Sequence, residues 1–354
     1  MEQCKGLIAG IDIGYSKIQA SVYSYNSRNV QTVKLTEDSK EKTSLANVVA
    51  ECMRATGTSQ IQSICVTIPD YHSDEISAVR DTLKKCGVSD GRWQVLSRVE
   101  SFAYYAYSQK KELYQNGTVL MDYNASGIDV YRLYCNKIGD MQYILQEHTL
   151  SQPEGSTIEK ASHSVTLYMT EYFKKHRASS VYLTGMGFDV DRLPDEFTKV
   201  LVAGRKAFVG QNLYVRGACF AALEYISPQV FGNVCLLTDG RIKADIETDI
   251  SEHGRPMKFR IVKMGTNWYM AERTIDFIIE DVSVINFQII WPDGKYIEKQ
   301  VDISSIPYRE GKTTRISMNV KASSQDKCIV TVKDLGFGEI YQASDSVIVE
   351  ELDL

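Results

Sequence analysis

The sequence predicts a duplicated α/β domain followed by an all-β domain. Three observations carry this. Strands alternate with helices over the first two-thirds of the 354 residues. One arrangement, a buried strand ending in an acid, then a turn and a second strand, occurs at Gly10–Lys17 and recurs at Val119–Val130. After Phe231-Gly232-Asn233 the helical pattern stops, and short alternating strands with turn signals run to the end. The boundaries so read are 1–115 and 116–235 for two α/β lobes and 236–354 for a β-sandwich domain.

Each element has its own signal. Leu7–Ile13 and Lys17–Tyr23 alternate as a half-buried hairpin does, and Val30–Leu35 adds a third strand. Asp38–Arg54 becomes helical, with Leu45, Val48, Val49 and Cys52 on one face. Ile64–Ile68 is a buried strand stopped by Pro69-Asp70. Ser73–Cys86 is a helix with acids in its first turn and Gly87 at its stop. Gln94–Leu96 is a short strand, and Glu100–Leu113 an aromatic-rich helix. The second lobe repeats the order. Strands Thr118–Asp122 and Ile128–Tyr134 flank a turn, a helix covers Ser156–Lys175, Ser180–Leu183 is a strand, and Leu213–Tyr225 a helix. In the β domain, Glu252-His253-Gly254, Trp291-Pro292-Asp293-Gly294, Arg309-Glu310-Gly311 and Ser324-Gln325-Asp326 mark turns, with no helix expected.

Composition excludes several classes. A net charge of −5 with scattered Lys and Arg argues against nucleic-acid binding, which needs a concentrated basic face. The most basic stretch, Lys174–Arg177, reads as a solvated helix end. The eight cysteines share no CxxC spacing and sit mostly in apolar runs, as reduced core thiols do. No signal-peptide pattern or membrane-length apolar run is present, so a cytoplasmic location without membrane insertion is expected.

The chemistry lies in three segments. In Gly10-Ile11-Asp12-Ile13-Gly14-Tyr15-Ser16-Lys17 an acid ends a strand, and the turn after it can aim backbone N–H groups at phosphate oxygens. Val119-Leu120-Met121-Asp122-Tyr123-Asn124-Ala125-Ser126-Gly127-Ile128-Asp129-Val130 has the same layout. In Leu183-Thr184-Gly185-Met186-Gly187-Phe188, glycines after a strand allow close backbone approach to a nucleoside. Singly each is an ordinary turn, and Glu100 an ordinary acid at a helix start. Their order is what is specific.

These residues resemble the actin-like ATPase superfamily, whose fold is ribonuclease-H-like and duplicated. They are most similar to the seventy-kilodalton heat-shock chaperones, with likeness to bacterial cell-division and pilus-assembly proteins in Asp12–Lys17. Val66–Tyr71, Arg98–Tyr107 and Arg216–Ala222 match in register, the last two as the interdomain helices. Small residues at Ala103, Ala106, Gly217, Ala218 and Ala221 suit their close crossing. Val234–Asp239 is similar to the chaperones' linker, and Ile303–Pro307, Arg315–Met318 and Cys328–Asp334 to strands of their peptide-binding sandwich. Gly210–Tyr214 and Asp334–Glu339 are also similar to a bacterial family of uncharacterised proteins.

The resemblance implies a site for ATP or ADP with Mg. Asp12 and Asp122 would organise the metal, and Glu100 and Asp129 would stand near the attacking water. Gly14, Tyr15, Ser16, Lys17, Asn124, Ser126, Gly127, Gly185, Met186 and Gly187 would line the nucleotide. The pattern also departs from the family. Tyr123-Asn124-Ala125-Ser126-Gly127 replaces a glycine run, Tyr15 replaces a small hydroxyl residue, and Gly185–Asp189 lacks an adenine-stacking cation. The short spacings before Ile64 and over 150–180 leave out both upper lobes, and no helical lid is expected. A shallow cleft excludes water poorly, so weak nucleotide binding or a pseudo-ATPase is expected. The implied function is a chaperone-like or scaffold protein whose β module binds a protein or peptide client. Ile285, Phe287, Ile289, Trp268 and Tyr269 are candidate client contacts, with core packing the more ordinary role. The alternatives are an active ATPase or small-molecule kinase, and a cell-division or pilus-type assembly protein.

Overall fold

The computed structural model describes residues 6–14, 17–35, 44–124, 127–151, 158–229, 231–280 and 282–354. It divides into two compact units, Met1–Val234 and Cys235–Leu354.

The first unit is built from two topological copies. In one, β1 (Leu7–Ile13), β2 (Ile18–Ser24), β3 (Asn29–Val33), α1 (Leu45–Thr56), β4 (Ile61–Thr67), α2 (Ser73–Lys85), β5 (Trp93–Leu96) and α3 (Arg98–Tyr107) follow in order. Their sheet runs β3-β2-β1-β4-β5, with hairpins on one side of β1 and parallel strands on the other. The other copy contains β6 (Thr118–Asn124), β7 (Gly127–Ile138), β8 (Met141–Ser151), α4 (Ile158–Lys175), β9 (Ser180–Gly185), α5 (Asp195–Val202), β10 (Lys206–Val209) and α6 (Leu213–Ile226). Its strands run β8-β7-β6-β9-β10, the same order with the same hairpin and parallel pairings. β1 and β6 are thus equivalent, and each carries its acid near its C-terminal end.

Local chemistry sets these elements. Ser44 caps α1 by accepting the Asn47 amide, and Gly57, at φ 67°, closes it. Ser97 caps α3 in the same way through the Glu100 amide at 3.2 Å. The helix expected over Glu100–Leu113 ends at Tyr107 instead, and the chain re-forms only a 3-10 turn at Lys111–Leu113. The carbonyl of Tyr105 is taken by the side chains of Ser108 and Gln109 at 2.7 and 3.0 Å, a local bond that competes with helix continuation. β8, α5 and β10 were not among the sequence-derived elements.

The helices α3 and α6 cross where both copies meet. Gly217 on α6 faces the Ser101 carbonyl, which would lie 1.8 Å from any Cβ there. Gly10 on β1 faces the α6 backbone equally closely, with the Cys219 nitrogen at 2.1 Å from a would-be Cβ. Ala218, Ala221 and Ala222 of α6 form a buried cluster with Ile8, Cys65 and Leu96 of the first sheet. From α3, Phe102 and Tyr105 stack edge-on against Tyr182 of β9 at 5.3 and 5.8 Å. Each crossing helix therefore packs on the sheet of the other copy. A second core, with Met121, Val165, Met169, Leu183, Phe197 and Leu201, lies beneath α4 and α5.

Beyond β11 (Val234–Leu237), the second unit consists of β12 (Asp245–Glu252), β13 (Arg255–Val262), β14 (Glu272–Ile279), β15 (Val284–Ile290), β16 (Tyr296–Asp302), β17 (Thr314–Ser324), β18 (Lys327–Asp334) and β19 (Val347–Asp353). They form two antiparallel sheets, β13-β12-β15-β16 and β14-β17-β18-β19. The β12–β13 turn is at His253-Gly254, both at positive φ, as that hairpin requires. One buried cluster draws residues from both sheets, including Ile246, Phe287, Met318 and Val330. Ile285, Phe287 and Ile289 are 6, 0 and 0% exposed, and Trp268 packs partly against the same cluster, so these are core residues and not exposed client contacts. Among the described residues no helix is long and apolar enough to cross a membrane, and no disulfide joins the seven described cysteines.

Candidate functional site

The equivalence of β1 and β6 brings two acids together where the copies meet. Asp12 and Asp122 are 5 and 4% exposed. Two buried like charges at one place need compensation. It comes from Arg98, the first residue of α3, whose Nη1 donates to Asp122 Oδ2 at 3.1 Å. The same oxygen accepts the Tyr214 hydroxyl of α6 at 2.6 Å. The Arg98 guanidinium lies over the Tyr214 ring, 5.1 Å from its centroid. Its Nη2 and Asp12 Oδ2 are 3.8 and 3.9 Å from where a Cβ on Gly14 would be, so one turn brings Gly14, Asp12 and Arg98 together. Among the described residues, Asp12 Oδ1 is buried with no hydrogen-bond partner.

The other loops close around Asp122. Gly185 has φ 96°, and a Cβ there would stand 2.7 Å from Asp122 Oδ1. Gln211 clamps this turn, donating to the Gly185 carbonyl at 2.9 Å and accepting its amide at 3.3 Å. Gly187 lies flat against the Tyr123 ring, and Met186 is 82% exposed. Asp129 is the cross-strand partner of Asp122. Its carboxylate accepts from Asn124 at 2.6 Å and meets His148 Nε2 at 2.8 Å, and the His148 ring stacks on Tyr131.

Of the residues expected from sequence, Asp12, Gly14 and Asp122 thus lie around one guanidinium, and Gly185 lies against Asp122 Oδ1. Lys17 acts on Asp12 electrostatically. Asn124 and Asp129, with His148, form an adjoining group at Gly127, where β7 begins. Met186 and Gly187 have the solvent-facing and packing positions just given. Glu100 is wholly buried; two positions along the helix from Arg98, it is turned about 200° away from it. Tyr15, Ser16 and Ser126 lie outside the described residues. Arg98, Tyr214, Gln211 and His148 were not anticipated as site residues. The signal for the first three was there, since Arg98 begins the matched helix stretch and Gln211 and Tyr214 belong to the Gly210–Tyr214 segment.

Burial pushes the Asp12 carboxyl from its ordinary 3.8 to about 6, with Asp122 adding to the rise and Arg98 and Lys17 opposing it. Burial also raises Asp122, helped by Asp129 and opposed by the Tyr214 and Arg98 hydrogen bonds. The Tyr214 phenol is raised well above its ordinary value by burial and the Asp122 charge. For Asp12 the folded chain holds its proton more tightly than the unfolded one. Its contribution to stability is therefore greatest below pH 4 and is lost as pH rises through 6. Asp12→Asn is expected to be more stable than wild type at pH 8 by roughly 2 kcal/mol, with the gap closing by pH 4. Urea melts at the two pH values check this.

The residues present do not fit a divalent metal held between Asp12 and Asp122. Among the described residues no three acid, histidine or cysteine side chains come close enough to share an ion. A cation seated on both carboxylates would meet the fixed guanidinium that already binds Asp122. Asp122 is held in an ion pair with Arg98, while Arg98 and Lys17 act on Asp12 electrostatically.

Comparison with known proteins gives distant likenesses. A ROK hexokinase from Thermus thermophilus shares 13% identity at a TM-score of 0.43, over 62% of this chain and 99% of its own. The ethanolamine utilization protein EutJ from Carboxydothermus hydrogenoformans shares 13% at a TM-score of 0.38, over 63% and 91%. The PilM–PilN type IV pilus biogenesis complex shares 11% at a TM-score of 0.39, over 61% and 98%. At these values no role is read from them. No curated protein matches the chain. A domain of unknown function, DUF8552, matches residues 241–354. The match over residues 21–239 places the chain in the family of unknown function DUF5716, whose C-terminal part it carries there.

Proposed function

We propose that the chain is a chaperone-like or scaffold protein, in which an actin-like α/β unit with a rebuilt nucleotide site accompanies a sandwich-type β module for protein or peptide binding. The observation that carries this reading is the pairing of Asp12 and Asp122, on equivalent strands, around Arg98 and Tyr214. The two acids match those expected of a phosphoryl-transfer site, and Arg98 answers the charge of Asp122 from within the chain. Phosphoryl transfer depends on charge neutralisation at the transferring group, so a site already neutralised binds nucleotide weakly and turns it over poorly. In the β module, Val349 of β19 and Tyr296 of β16 are exposed on edge strands, as strand addition by an extended peptide would use.

Titration calorimetry with ATP and ADP, with and without Mg, tests the site. The expected result is binding with Kd of about 0.1–1 mM, lost in Asp122→Ala, and no phosphate release. Steady turnover would replace this reading with an active ATPase or kinase. Absence of binding at several times those concentrations would remove the nucleotide and leave a scaffold alone.

A further inference from the structure

We infer that Arg98 occupies the position of a divalent cation, so that this site binds its phosphate ligand without metal and removal of Arg98 creates a metal site. The ligand class rests on the nucleotide reading above; the exchange of guanidinium for metal does not.

Three features of the geometry lead here. First, Arg98 is built in. It is held by the Asp122 carboxylate, covered by the Tyr214 ring, and bordered by the Gly14 turn, where a Cβ would stand at contact distance, 3.8 Å, from its Nη2. A side chain held from three sides on two helices and a strand turn is a fixed charge. Second, Asp122 Oδ2 is fully committed. It takes both the Arg98 and Tyr214 hydrogen bonds, while Oδ1 lies beside the Gly185 turn. A metal would have to break two charge-assisted bonds to reach Oδ2. Third, Asp12 Oδ1 is buried with no hydrogen-bond partner among the described residues. One oxygen of one acid is a poor seat for a hard cation, which needs about six oxygens. It suits a ligand that brings its own hydrogen to donate, such as a bound water, a hydroxyl or a protonated phosphate, while Arg98 supplies the positive charge. Gly14, Arg98, Tyr214 and Gln211 are then one device: the turn beside the guanidinium, the guanidinium, its cover, and the clamp on the opposite loop.

The test uses the full chain and Mn2+ as the probe, followed through loss of the free-ion electron paramagnetic signal. Wild type is expected to show no site at about 1 mM Mn2+. Arg98→Ala and Arg98→Met, the second keeping the packing of the stem, are each expected to gain one site at least about tenfold tighter than any in wild type. Arg98→Ala combined with Asp122→Asn is expected to lose it again. Wild-type affinity equal to that of the variants overturns the inference, as do folded variants that gain nothing. Failure of both single variants to fold, judged by melting curves, overturns it too, because Arg98 would then be a structural staple. A wild type that binds no nucleotide sinks the nucleotide reading and leaves the Mn2+ comparison standing.

Discussion

Gly217→Ala is expected to lower the melting temperature of the first unit by about 10 °C, and Gly217→Val to prevent that unit from folding. The reason is the identity of the atoms in the way. A Cβ at 217 would lie 1.8 Å from the Ser101 carbonyl oxygen, 2.6 Å from its carbon and 3.2 Å from its Cα. All are backbone atoms of α3, so no side chain can rotate aside. On its other side α6 is held equally tightly, with the Val215 carbonyl 2.5 Å and the Ala218 carbon 2.7 Å from a would-be Cβ on Gly10. The Ser21 hydroxyl also donates to that Val215 carbonyl at 2.7 Å. Relief requires moving a helix that is wedged on both faces. Overpacking of an ordinary core costs about 1–3 kcal/mol, and here the upper end or more applies. In a unit of this size each kcal/mol is worth about 2–4 °C. Scanning calorimetry of the full chain reads the effect. A Gly217→Ala protein melting within about 2 °C of wild type would mean that α3 and α6 part freely, and the site between them would lose its rigid frame.

Breaking the buried ion pair of the second unit is expected to be comparably severe. Arg309 donates to both oxygens of Asp334, Nη1 at 2.7 Å and Nη2 at 2.6 Å, with side chains 6 and 0% exposed. The same carboxylate accepts the Gly336 and Ser344 amides at 3.0 and 2.7 Å, and Arg309 also reaches the Gln342 carbonyl. One pair thereby closes the loop from 334 to 344 onto the sheet. Arg309→Ala leaves Asp334 charged and buried, for an expected loss of about 3–5 kcal/mol. The double change Arg309→Met with Asp334→Leu is expected to cost less than either single change, because no orphaned charge remains. The Arg309 guanidinium holds the Asp334 carboxyl well below its ordinary 3.8. A depressed carboxylate stabilises the fold above the unfolded value, and that contribution is lost as pH falls through the folded one. Wild type should therefore weaken steadily below pH 4, and Arg309→Ala less steeply, in urea melts taken across that range. Equal slopes would show that the pair carries no acid sensitivity.

These sites differ in how far they could be seen in advance. Asp12 and Asp122 were legible because each ends an apolar strand before a turn, and the two copies repeat that order. Gly217 was legible as one of several small residues on a helix matched in register, although its contact with Ser101 was not. α5 carried a usable signal in Pro194 and in Phe197 and Leu201 at helical spacing. β8 carried less, and β10, at four half-exposed residues, carried almost none. Asp334 stood out within Asp334–Glu339, but nothing in the chain order pointed to Arg309, 25 positions away.

Periodicity, turn residues and the repeated strand–acid–turn order are local properties, and from them alone follow the duplicated α/β plan, the change to β structure near residue 235 and the pair of strand-end acids. Tertiary structure decided how those acids are used. Arg98 is 24 positions before Asp122 and Tyr214 is 92 after it, on two helices that meet only because Gly217 and Ser101 let them cross. A counter-charge is defined by distance in space, and in a low-dielectric interior a guanidinium about 3 Å from a carboxylate is a strong interaction that no local motif reveals.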